Sequence, residues 1–212
     1  MPLQNRVTPE GAIIAAPARG TMMGNRGGAL HTPQRTLGPR RWRTKAWICC
    51  VLDFKGRHRV VMSPNRYTEL FFLDEATALA AGHRPCFECR RHDALAFAQA
   101  WRQGHELQRR PHAPDMDAVL HPQRTGMGRQ RIQRRGFGEL PDGVFVRWQD
   151  GPHLLLGRRL LAWRPQGYAP ALRAPPRGET EVITPPAIVA VLSAGYRPML
   201  HVTAGSVRDA VS

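Results

Sequence analysis

The chain has 212 residues, and 31 Lys+Arg against 16 Asp+Glu leave a net charge of +15 at pH 7. That length suits one large domain or two small ones, and no window approaches the ~20 apolar residues of a membrane span. Four cysteines, two adjacent and two in a C-x2-C pair, make a poor disulfide framework and read as metal ligands.

The surplus charge is mostly arginine, whose guanidinium group pairs strongly with phosphate and points to a nucleic-acid partner. A coding bias toward arginine would leave the same composition with no partner at all. The first residues show no basic segment followed by a long apolar run, so the expected location is cytoplasmic, away from the membrane.

In chain order, residues 1–20 form a lead-in with one apolar run, Ala12 to Ala16, placed as an edge strand between Pro9 and Pro17. A glycine-rich path over Met23–Gly28 leads to His31. Residues 35–45 then carry Arg40, Arg41 and Arg43 around Trp42, a basic stripe suited to phosphate contact or to simple solvation. Trp47 to Phe54 reads as a strand, turned at Lys55-Gly56 into a second strand, Arg59 to Met62. Strand alternation puts Cys49 and Cys50 on opposite faces, so only one of them can reach a shared metal.

Thr68 to Leu73 is a further expected strand. Asp74 caps a helix over Glu75–Ala81, and Gly82 with Pro85 ends it. The C-x2-C pair Cys86 and Cys89 follows at once, and two thiolates at that spacing grip one ion from a single turn. Arg90–Gln103 has apolar residues at Ala94, Phe97, Ala98 and Trp101, an amphipathic helix stopped by Gly104.

Residues 105–137 are rich in arginine, proline and glycine, and read as a basic linker with a short helical piece near Met116–Leu120. Val144–Trp148, Leu154–Leu156 and Leu160–Trp163 read as an antiparallel meander. After a Pro/Arg-rich loop, Thr184 caps a last helix running through Ser193 with Pro185 at its first position.

The run Glu75-Ala76-Thr77-Ala78-Leu79-Ala80-Ala81-Gly82-His83-Arg84-Pro85-Cys86-Phe87-Glu88-Cys89 resembles the Ada-type metal-binding domains of alkylation-repair proteins. In those domains an E-A-x-x-A-G-[YF]-R-P-C-x-x-C segment supplies one pair of zinc ligands. Gly24-Asn25-Arg26-Gly27-Gly28-Ala29-Leu30-His31 resembles the G-N-[KR]-x-S-x-x-H opening of shorter Ada-like modules, where the histidine is a ligand. The resemblance covers about residues 21–92. It implies Zn2+ held by His31, Cys50, Cys86 and Cys89, with Cys49 as the alternative to Cys50.

The chain departs from the pattern at Arg35 and Phe54, where the family has cysteines. Cys50 as an ordinary core cysteine and His31 as a capping residue are the plain alternatives.

The expected fold is α+β: a small antiparallel sheet with short helices around a zinc knuckle, plus a C-terminal meander with one helix. Its expected parts are a zinc module (1–104), the linker (105–137) and a small C-terminal unit (138–212). The expected function is zinc-stabilised nucleic-acid binding, with DNA ahead of RNA, linked to DNA repair or regulation. Arg40, Arg41, Arg43, Arg84, Arg90 and Arg91 are the expected phosphate contacts, and Trp42 or Trp47 a surface for base stacking. Methyl acceptance from a phosphotriester at a zinc-bound Cys50 is one alternative, though neither a P-C-H-R motif nor a helix-turn-helix accompanies it. A metal-dependent hydrolase is another, lacking any H-E-x-x-H pattern.

Overall fold

A computed structural model describes residues 1–57, 60–126, 133–149, 151–175 and 178–205. The fold is α+β, with two sheets, four α-helices and a C-terminal meander among the described residues, as the sequence indicates. No helix among the described residues is long and apolar enough to cross a membrane.

The first sheet takes its strands from the N-terminal 85 residues: β1 (Gln4–Val7), β2 (Ile13–Ala15), β3 (Met22–Asn25), β4 (Ile48–Cys50), β5 (Leu70–Phe72) and β6 (Arg84–Pro85), ordered β2-β1-β5-β3-β4-β6. The apolar run at 12–16 does sit on the edge. The sheet is mixed and not wholly antiparallel, because β1 pairs parallel with β5 and β4 parallel with β6.

The glycine-rich path at 23–28 contributes a strand, β3, at the centre of this sheet. Gly24 permits it: a Cβ there would lie 2.1 Å from the carbonyl oxygen of Ile48 on β4. The expected hairpin partner at Arg59–Met62 does not form among the described residues, and Arg59 itself lies outside them. Instead β4 is only three residues long and finds its partners in β3 and β6.

Asp74 caps helix α1 (Glu75–Ala80) as expected, its carboxylate accepting from the Thr77 amide at 2.9 Å. Gly82 takes the left-handed conformation, φ +80°, that turns the chain back into β6. Helix α2 (Arg91–Gly104) buries Ala94, Phe97, Ala98 and Trp101, the stripe that its periodicity marks.

The segment read as a linker carries a 13-residue helix, α3 (Ala113–Thr125), which buries Met116 and Leu120. Arginine and proline disguise it, since only one narrow face is apolar. The second sheet comprises β7 (Gln133–Gly136), β8 (Phe145–Trp148), β9 (Gly151–Leu156), β10 (Arg159–Arg164), β11 (Gly167–Tyr168), β12 (Leu172–Arg173) and β13 (Glu179–Val182). Strands β8, β9 and β10 form the antiparallel meander, and β13 lies between β8 and β7.

Helix α4 (Pro186–Ser193) closes the fold. Its flanking Thr184 does not cap it; the hydroxyl accepts the Phe145 amide of β8 at 2.8 Å. One apolar core joins α2, α3 and α4 with β8, β9 and β10, so the helix following the cysteine pair packs among C-terminal residues.

Two buried carboxylates tie the halves together. Asp74 also accepts from the Tyr168 hydroxyl (2.7 Å) and the His201 amide (3.0 Å). Glu75 accepts from the Tyr196 hydroxyl (2.6 Å), the Met199 amide (2.9 Å) and the Arg90 guanidinium (2.9 Å).

Candidate metal centre

Parallel pairing of β4 with β6 builds the centre. It sets Cys49 beside Pro85, and the Cys86 amide donates to the Cys49 carbonyl at 2.9 Å. The next turn brings Cys89 back, with the Glu88 amide donating to Cys86 Sγ at 3.4 Å and the Arg90 amide to the Cys86 carbonyl at 3.0 Å. As a result the sulfurs of Cys50, Cys86 and Cys89 all lie within 4.8 Å of one another. One tetrahedral ion draws such a group together with little movement, since bonds of about 2.3 Å hold thiolates roughly 3.8 Å apart.

Electrostatics also favours a cation. Hydrogen bonding to Cys86, then to Cys89, then burial push the Cys50 thiol far up from its ordinary range. Those same bonds, from Cys50 first and Cys89 second, pull Cys86 down, helped by the Cys89 and Glu88 amides. The three sulfurs thus share protons through hydrogen bonds. A bound dication replaces those protons and lets all three ionise.

All four cysteines are free thiols. Cys49 points to the other face of the sheet, as alternation requires, and packs against Val7, Leu70 and Phe72. Burial first, then Glu75, push its thiol up, and the Arg90 guanidinium stands 3.7 Å from its sulfur. Cys50, not Cys49, belongs to the cluster.

His31 does not join the three thiols. Its Nδ1 bonds the Thr68 hydroxyl at 2.6 Å and its Nε2 the Ser63 carbonyl at 3.1 Å, so both ring nitrogens are committed to fixing the 31–37 loop. The motif's basic residue, Arg26, is likewise internal. It is 2% exposed and lies over the Trp47 ring at 4.0 Å, donating to the Gly11 carbonyl and to His83. No carboxylate pairs with it among the described residues, and burial, with Arg124 and Arg41 nearby, lowers its pKa to about 9.

The three sulfurs open on a cavity of about 400 Å³. One face of β3, β4 and β5 lines it: Met23, Asn25, Ile48, Cys50, Glu69 and Phe71. The opposite residues of the same strands, among them Met22, Cys49, Leu70 and Phe72, are core. Period-2 alternation over Met22–Asn25 is the sequence signal that marks Asn25, which the glycines obscure.

Two of the six arginines expected at phosphates are excluded by burial. Arg84 forms a bidentate pair with Asp117 on α3, at 3.1 and 2.7 Å, with both side chains 6% exposed. Arg90 is held by Glu75 and Asp93. Arg40, Arg41, Arg43 and Arg91 are exposed and form no ion pair among the described residues.

Trp47 is buried beneath Arg26 and Arg124 and offers no face to a base. Trp42 is half-buried beside Trp47 and His121. Family models, curated proteins and solved structures offer no match to this chain.

Proposed function

We propose that Cys50, Cys86 and Cys89 hold Zn2+ and that the protein binds nucleic acid, DNA ahead of RNA, through exposed arginines. The observation that carries the metal is the convergence of three thiols from a strand and a C-x2-C turn. Zinc suits them because sulfur donors and tetrahedral geometry match its preference, and when bound it keeps the thiolates ionised. The Ada-like resemblance across residues 21–92 agrees with that metal, now without His31.

Support for nucleic acid comes from the net charge of +15 and from Arg40, Arg41, Arg43 and Arg91, all exposed without an acidic partner among the described residues. Three of them flank Trp42, the one half-open aromatic in that stretch.

Elemental analysis with a binding assay tests the reading. One zinc per chain is expected, retained in Cys49→Ala and lost in Cys50→Ala. Anisotropy of a labelled DNA duplex should fall steeply with added salt. In the triple variant Arg40→Gln/Arg41→Gln/Arg43→Gln the log–log slope should become shallower by roughly one for each phosphate no longer neutralised. A zinc-free wild type removes the metal reading, and a salt-independent or undetectable interaction removes the nucleic-acid reading.

A further inference from the structure

Three thiolates supply only one face of a tetrahedron. Among the described residues no further His, Cys, Asp or Glu ligand atom joins their 4.8 Å group. In the place of a fourth protein ligand stands the cavity of about 400 Å³. We propose that the fourth coordination position is filled from outside the chain, through this cavity, by a neutral molecule with one donor atom on an apolar body. The inference rests on the reading that the three cysteines hold a metal.

Size and lining set the class of ligand. A space of that volume falls in the range used for small-molecule sites, roughly 300–1,000 Å³. Apolar side chains, Met23, Ile48, Phe54, Val61 and Phe71, stand around the thiols, while Asn25 offers an amide and Glu69 and Glu88 place carboxyl groups on the wall. Fourfold protein ligation closes a zinc site and serves structure, whereas three protein ligands leave a position that exchanges.

Charge sets its sign. A dication and three thiolates sum to −1, and two of those thiolates, Cys50 and Cys86, are only 7% exposed. An anion approaching the ion therefore meets net repulsion that solvent screens weakly. Among the described residues the one arginine lining the cavity, Arg57, is bonded to Glu88 at 3.0 Å. Neutral donors are thus favoured over anions, and the phosphates of a bound nucleic acid are kept to the exposed arginines.

Cobalt(II) substitution of the full chain reads this directly, since the visible ligand-field bands report every change in coordination. Imidazole serves as the neutral probe and azide as the anionic one. Imidazole should shift the bands saturably, and azide should bind at least roughly tenfold more weakly. Val61→Trp, which fills the cavity without touching a ligand, should keep the cobalt spectrum and weaken imidazole binding by a similar factor.

A cobalt spectrum indifferent to imidazole would mean that a protein donor closes the site, overturning the inference while the metal reading stands. Azide binding as tightly as imidazole overturns the choice of a neutral ligand. Failure to take up cobalt at all overturns both.

Discussion

Replacing Asp117 with leucine tests the least expected element of the fold, helix α3, and its grip on the strand that presents Cys86. The Asp117 carboxylate holds Arg84 by two hydrogen bonds, at 3.1 and 2.7 Å, with both partners 6% exposed. Removing it leaves a guanidinium stranded between β6 and α3, a change that costs about 3–5 kcal/mol.

The pair itself is not strongly stabilising. Burial outweighs Arg84 in setting the Asp117 carboxyl and lifts it above the ordinary range, so desolvation takes back most of the attraction. Arg84→Met/Asp117→Leu should accordingly return to within about 1 kcal/mol of wild type. In urea, with an m-value near 2–3 kcal/mol per molar, the single variant should shift the midpoint down by roughly 1.5 M. A single variant within about 1 kcal/mol of wild type, or a double variant no more stable than the single, would refute this account of α3.

His83 gives a pH signature. Burial first, then Arg26 and Arg124, hold its pKa well below 6.5, so the folded state stays neutral while the unfolded chain takes up a proton. Stability is therefore nearly complete above pH 6.5 and falls below it, by at most about 2 kcal/mol at pH 5, and His83→Gln should flatten that slope in denaturation curves at pH 5 and 7. Gly104→Val should destabilise by about 1–3 kcal/mol, because a Cβ there would lie 2.4 Å from the Ala190 carbonyl oxygen, and thermal unfolding reads it. Cys49→Ser should bind as much zinc as wild type yet unfold at lower urea by about 1–2 kcal/mol, placing a hydroxyl where Cys49 is 0% exposed. Equal stability of Cys49→Ser and wild type would contradict the packing of that face.

Much of the centre is legible in the residues because its determinants are local. The C-x2-C turn, the Asp74 cap, the Gly82 stop and the opposed faces of Cys49 and Cys50 each depend on a few neighbouring positions. Long-range choices are not legible in that way. Nothing near His31 shows that Thr68 and Ser63 occupy its ring nitrogens, and nothing near Arg84 announces Asp117, 33 residues on. Burial of Arg84 and Arg90 runs against the ordinary preference of arginine for the surface, so composition misassigns them to phosphate contact. Likewise α3, with two prolines and an arginine in 13 residues, buries only Met116 and Leu120 as large apolar side chains.

The carboxylates at the start of α1 carry a consequence for how the molecule is made. Glu75 and Asp74 are completed by Tyr196, Met199 and His201, between 121 and 127 residues further along the chain. While the first hundred residues emerge from a ribosome, both acids have only their near partners, Thr77 for Asp74 and Arg90 for Glu75. The three clustered thiols and the strands that pair around them, β3, β4 and β6, all lie within the first 89 residues, whereas the helix leading into the C-x2-C turn is locked only when the last turns arrive. Synthesis of the thiol-bearing strands and final locking are thus separated in time, and the delay is that of a fold with distant contacts.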